Sequence, residues 1–168
     1  GEIRARAKAV AQRSGLDLVI VDYVGLVKGR GENRVQELGE VTRDLKALAK
    51  ELSVPVLLAA QLNRRVEQRP DHRPLLSDLR ESGDLEQDAD VVLFIHREDQ
   101  YTTAEDWPRK NPTKPYPKGI ADIMVAKHRN GPTGACTLLF QQTITRFGSL
   151  EAHREEPAAS GHGYYWQT

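Results

Sequence analysis

Apolar residues recur along this chain with two different periods, and those periods divide it into elements before any motif is considered. Between residues 2 and 14, Ile3, Ala7, Val10 and Ala11 fall at helical spacing, and the run closes on Gly15, which tolerates the left-handed conformation common at helix ends. The spacing predicts a helix. Leu18, Val19, Ile20 and Val21 form a continuous apolar run rich in β-branched residues, as expected of a strand buried on both faces of a parallel sheet, and Asp22 ends it. After a Gly- and Arg-rich loop over residues 28–32, Asn33 is placed to cap a helix with the apolar face Val35, Leu38, Val41, Leu45, Leu48 and Leu52. Residues 54–60 read as a second buried strand with Gln61 at its polar end, and residues 91–95 as a third. Between them lie a basic loop and a short helix begun by Ser77. Alternating strands and helices imply right-handed crossovers and a parallel sheet, so the fold class is α/β.

The last third changes character. Residues 120–126, 135–141 and 144–147 are short strands separated by turn chemistry that includes Asn130-Gly131-Pro132, and they predict an antiparallel extension of the sheet. Residues 107–118 hold Pro108, Pro112, Pro115 and Pro117, too many for a helix or a central strand, and are expected to form an exposed loop. From residue 148 a flexible tail is expected, carrying Tyr164, Tyr165 and Trp166. The expected organisation is one domain over residues 1–147 and a tail over 148–168.

Composition fits that picture: of 168 residues, 39% are apolar and 29% charged, enough for one domain with its own core. No apolar run approaches the roughly 20 residues that span a bilayer, and no leader pattern opens the chain, so a cytoplasmic protein without membrane contact is expected. Basic and acidic residues balance at 24 each, so any contact with nucleic acid must be local. Cys136, the single cysteine, sits in a strand-like run and is expected as a buried thiol. The chain opens on Gly1 and its only methionine is Met124, from which a fragment or processed chain is expected.

Chemistry concentrates at a few points. Asp22 ends a buried parallel strand, where open α/β sheets bind ligands and where P-loop ATPases place an acid that holds Mg²⁺; a plain polar turn residue has the same pattern. Gln61 ends the next strand and could orient a water or sense a γ-phosphate, or be a solvated amide. Lys127, His128 and Arg129 precede a Gly-Pro turn, so the two outer cations could reach a phosphoryl group across a subunit boundary or be solvated at a hairpin tip. Arg64, Arg65, Arg69, His72, Arg73 and Arg80 make the segment after Gln61 locally basic; Arg80, Glu81 and Gly83 lie where a guanidinium and a backbone amide could share a phosphate oxygen. The carboxylates Asp84, Glu86, Asp88 and Asp90 suit a capped helical turn better than a metal nuclease, because no His pair has helical ligand spacing.

Taken together, Val21-Asp22-Tyr23, Gln61-Leu62-Asn63-Arg64, the run from Leu76 to Gly83, Gln87-Asp88-Ala89-Asp90 and the run from Lys127 to Gly134 resemble DnaB-type bacterial replicative helicases in order and spacing. The resemblance covers roughly residues 15–147. It implies part of a RecA-like P-loop ATPase core, in a homohexameric ring that uses ATP and Mg²⁺ to move 5′ to 3′ along single-stranded DNA, with primase and a helicase loader as partners. On it, Asp22 corresponds to the Walker B acid and Mg²⁺ holder, and Gln61 to the phosphate sensor. Arg129 corresponds to the trans arginine finger, Lys127 to its companion, and Arg80, Glu81 and Gly83 to the loop that tracks DNA.

Departures accompany it. The family usually has Gln where this chain has Gly25 and often Ser at Ala60, and no G-x-x-x-x-G-K-[ST] phosphate cradle and no Gly-Lys dipeptide occurs. The chain alone is therefore expected to be inactive. The alternatives are a RecA-like recombination or repair ATPase and a non-catalytic module that binds loader or primase.

Overall fold

The computed structural model describes residues 1–82 and 84–150. They fall into two compact units, Gly1–Phe94 with Met124–Gly134, and Ile95–Ile123 with the described residues from Ala135 on.

In the first unit, α1 (Glu2–Ser14) ends as its periodicity predicts: Gly15 adopts φ 79° and its N–H donates to the Ala11 carbonyl at 3.2 Å. Strand β1 (Val19–Val21) pairs in parallel with β2 (Val56–Leu58), Val21 opposite Leu58. The crossover between them carries α2 (Arg34–Leu52), and Asn33 caps it by accepting the Gln36 N–H at 3.0 Å. Leu38, Val41 and Leu45 from α2 meet Val21, Val24 and Leu85 in one core, against which Val19, Val56 and Leu58 pack. Leu48 is 1% exposed. Burying a leucine so fully stabilises the fold by roughly 1.5–3 kcal/mol, which makes the apolar stripe of α2 the main anchor of β1 and β2.

The loop before α2 is clasped to the helix's first turns. Glu37 accepts the Gly29 N–H at 2.9 Å and Glu40 the Arg30 N–H at 2.7 Å. A Cβ on Gly31 would stand 2.3 Å from the Glu37 nitrogen, so only glycine permits that approach.

Two expectations for the strands are corrected. The strands are shorter than the apolar runs and are buried on one face only: Ile20 is 63% exposed and Leu57 53%. The two-residue period turns them away from α2, and no described element covers that side. The third strand also does not extend the parallel pair. Strand β3 (Val91–His96) heads a separate sheet with β4 (Ile120–His128), β5 (Gly134–Gln141) and β6 (Arg146–Ser149), in the order β3-β4-β5-β6. Between β2 and β3 in the first unit lies a cavity of about 460 Å³ lined by Leu45, Ala49, Val56, Leu58, Val91 and Leu93, among others.

The short helix expected at Ser77 is a 3₁₀ segment, Leu76–Ser82, followed by the single turn α3 (Leu85–Asp88). Buried Leu79 joins Val92 and Phe94 in a second cluster, with Leu62, Leu76, Met124 and Ala126 around it.

The second unit has few fully buried apolar side chains and many polar pins. Arg97 forks onto Asp99 at 3.1 and 3.0 Å and lies over the Phe140 ring at 4.5 Å. Asp99 also accepts the Gly119 N–H at 2.8 Å; burial raises its pKa, but the Arg97 and Gly119 hydrogen bonds outweigh that and hold it below the usual carboxylate range. Tyr116 donates to the Thr102 carbonyl, and buried His96 stacks on Tyr101 while bonding Glu98. The proline-rich segment contains a helical turn, α4 (Trp107–Lys110), where a loop was expected; Pro108 stands in its first turn, where no N–H is needed. Strands β5 and β6 pair antiparallel, as the extension predicts. Strand β6 starts later than expected, because a 3₁₀ turn at Gln142–Ile144 occupies the start of that run, and it continues through Gly148 and Ser149, the first residues of the expected tail. Cys136 is exposed on the outer stretch of β5, not buried. The aromatic residues 164–166 lie outside the described residues.

Candidate nucleotide and nucleic-acid site

The parallel register brings the two strand-end residues to one edge. The Ala59 N–H donates to the Val21 carbonyl and the Val24 N–H to the Ala59 carbonyl, both at 2.9 Å. Asp22 lies between those two rungs and Gln61 two residues beyond Ala59, both at the carboxyl ends of their strands. Both are exposed. Parallel strands present their carboxyl ends as a ligand crevice, so the two polar side chains share the position that α/β sheets use for binding.

Residues just after Asp22 are tightly fitted. The Asp22–Tyr23 peptide is cis. A Cβ on Gly25 would come within 2.2 Å of the Tyr23 ring, so glycine makes room for that ring. Arg34 holds the same turn by donating to the Gly25 carbonyl at 2.7 Å and pairing with Glu37. That pairing, with the Gly29 N–H, keeps the Glu37 carboxyl below its usual range.

The cations at the other end of the sequence are engaged and not free in solvent. Lys127 donates to the carbonyls of Glu86 and Gln87 at 2.5 and 3.2 Å, and Arg129 to that of Gln87 at 2.9 Å. These are the unpaired carbonyls at the carboxyl end of α3, where positive charge is favoured. Asp90 pairs with Lys46 and lies 3.5 Å from Arg129; Lys46 foremost holds its carboxyl below the usual range. Thr42 ties the same turn to α2 by donating to Asp88 at 2.8 Å.

The basic segment after Gln61 divides. Arg64 and Arg65 are exposed, whereas Arg69 is turned inward onto buried Asp78 and is not available for phosphate. Arg80 and Glu81 stand on the 3₁₀ segment Leu76–Ser82, but their side chains, and Gly83 altogether, lie outside the described residues. No sequence signal marked the Arg69–Asp78 pair, which joins residues nine apart in a segment with no regular period.

Comparison with known proteins identifies the family. Residues 1–149 match the family described as the DnaB-like helicase C terminal domain. The chain belongs to that family. Among curated relatives, the replicative DNA helicases DnaB of Rickettsia prowazekii and Geobacillus stearothermophilus are 45% and 46% identical over 163 and 158 residues. These alignments cover 89% and 92% of this chain but 32% and 33% of the relatives, so the chain spans about a third of their length. Two solved structures are similar in fold and 38% identical, each over 88% of this chain. One, described as a DnaB-like replicative helicase and its interactions with primase, has a TM-score of 0.75 and is covered over 35% of its length. The other, described as an ATPase domain, has a TM-score of 0.76 and is covered over 50%. The expected α/β RecA-like class therefore holds for this DnaB-like domain.

Proposed function

We propose that residues 1–147 form the C-terminal portion of the RecA-like motor of an ATP-dependent replicative DNA helicase, working as a homohexameric ring on single-stranded DNA with primase and a loader as partners. The observation that supports this most is the placement of Asp22 and Gln61 at the same open edge of two paired parallel strands.

Asp22 suits the role of Mg²⁺ holder: no hydrogen bond or ion pair among the described residues engages its carboxylate, and no group of three or more potential ligands surrounds it. A single carboxylate fits Mg²⁺, which keeps most of its waters and takes phosphate oxygens. Asp22 would hold the ion, which would supply positive charge against the phosphates. Gln61 would orient the attacking water or report the γ-phosphate. Lys127 and Arg129 would leave the α3 carbonyls to meet a neighbouring subunit's nucleotide. Arg80, Glu81 and Gly83 would follow the DNA backbone. Residues beyond this chain would supply the phosphate cradle.

The test is a chimera in which this chain replaces the matching third of the Geobacillus stearothermophilus helicase. It should hydrolyse ATP faster in the presence of single-stranded DNA, and Asp22→Asn should abolish Mg²⁺-dependent turnover. Full turnover in the Asp22→Asn chimera, or hydrolysis indifferent to DNA, contradicts the reading.

A further inference from the structure

Resting on the helicase reading above, we propose that Asp78 is the positioning residue that couples the Gln61 end of β2 to the segment bearing Arg80 and Glu81. The geometry centres on one buried carboxylate, 5% exposed. Arg69 grips both of its oxygens, Nη1 to Oδ1 at 2.9 Å and Nη2 to Oδ2 at 2.5 Å, and the Leu75 N–H donates to Oδ2 at 2.7 Å. The Asp78 carbonyl accepts the Asn63 N–H at 3.3 Å, two residues beyond Gln61. Asn63 in turn caps the 3₁₀ turn Arg64–Gln68 by accepting the Arg65 N–H at 3.0 Å, and Arg69 follows that turn directly.

One residue thus closes a loop of contacts. The path leaves β2 through Asn63, passes along the turn to Arg69, crosses the ion pair to Asp78, and returns through the Asp78 carbonyl to Asn63. Leu62 and Leu79, the neighbours of Asn63 and Asp78, pack in the same apolar cluster. Because the Asn63 N–H is bonded to the Asp78 carbonyl, a shift of the chain after Gln61 would pull on Asp78, and Arg80 stands two residues further on. Bidentate arginine–carboxylate pairs are rigid, so the link transmits displacement and does not absorb it. Asp78 touches neither nucleotide nor DNA on this scheme; its effect is on how one site informs the other.

The experiment uses the chimera described above, with Asp78→Asn, Arg69→Gln and the double variant. For each, basal ATPase, ATPase with saturating single-stranded DNA, and thermal melting are measured. Basal turnover should stay within about twofold while DNA stimulation falls by at least about fivefold, the scale of a typical coupling between sites. The double variant should lose no more stimulation than either single one, since all three remove the same link. Basal and stimulated rates falling together, in step with the melting temperature, would overturn the proposal and leave the pair a structural brace. Should Asp78→Asn fail to fold, Arg69→Lys keeps the charge and loses the fork; stimulation intact in that variant also overturns it. A parent chimera without DNA stimulation overturns the helicase reading, and this proposal with it.

Discussion

The two units reach order by different means. In the first, one helix lays a stripe of leucines and valines on two parallel strands, and the polar residues at the strand ends remain exposed. In the second, Arg97, Asp99, His96, Glu98, Thr102 and Tyr116 are consumed in holding one another and, through Asp99 and Tyr116, the backbone. The difference teaches where chemistry can reside. A polar group pinned to the backbone must break that bond before it can reach a ligand, as Lys127 and Arg129 would have to, whereas a scaffold fixed by apolar contacts leaves the strand-end residues uncommitted.

That contrast can be broken most sharply at Arg129 in the chimera. Arg129→Ala should leave nucleotide binding nearly intact but lower turnover by about a thousandfold, since a finger stabilises transition-state charge. Subunits lacking Arg129 should regain part of their activity when mixed with phosphate-cradle mutants that keep it. Absence of rescue in any mixture removes the trans assignment. The contrast holds only if Arg97→Ala, in the second unit, changes turnover by no more than about twofold while destabilising the fold.

Stability measurements on the 168-residue chain sharpen it further. Leu48→Ala should cost about 2–5 kcal/mol in urea unfolding, the range for a leucine removed from a closed core. A loss under about 1 kcal/mol would mean that the stripe of α2 is not the anchor described. Acidification tests the polar side. Asp78, Asp90 and Asp99 are all held below the usual carboxylate range, Asp78 chiefly by Arg69, Asp90 chiefly by Lys46, and Asp99 by Arg97 and Gly119 against its burial. Their contribution is complete above that range and disappears as pH falls through the lowered values, so unfolding free energy should drop from about pH 4 downward. A flat profile there would show that these pairs contribute nothing. The smallest effect belongs to the helix cap: Asn33→Ala should cost about 1 kcal/mol, read from the same urea curves.

How much was legible in the sequence follows the same division. Helix α2 and its cap, helix α1 and its glycine stop, and the polar ends of β1 and β2 all appeared because period and terminus are local signals. The exposed faces of Ile20 and Leu57 did not, because an apolar run does not reveal whether both sides are covered. The pins of the second unit join Asp99 to Gly119 and Tyr116 to Thr102, residues too far apart for any period to register. At the site, Asp22 and Gln61 were visible as strand ends. The inward turn of Arg69 was not, since a basic run reads the same whether its side chains face solvent or a buried carboxylate.

The open flanks of β1 and β2 have a practical consequence for anyone handling this chain. Among the described residues those two strands pair only with each other, and Ile20 and Leu57 stand outward between unmated backbone edges. Such a ribbon is a template for intermolecular strand addition. With basic and acidic residues in balance, no net charge keeps the copies apart near neutral pH. Concentrated stocks should therefore drift toward oligomer with time. Light scattering over a dilution series would register the drift, and Leu57→Lys should slow it without changing the fold.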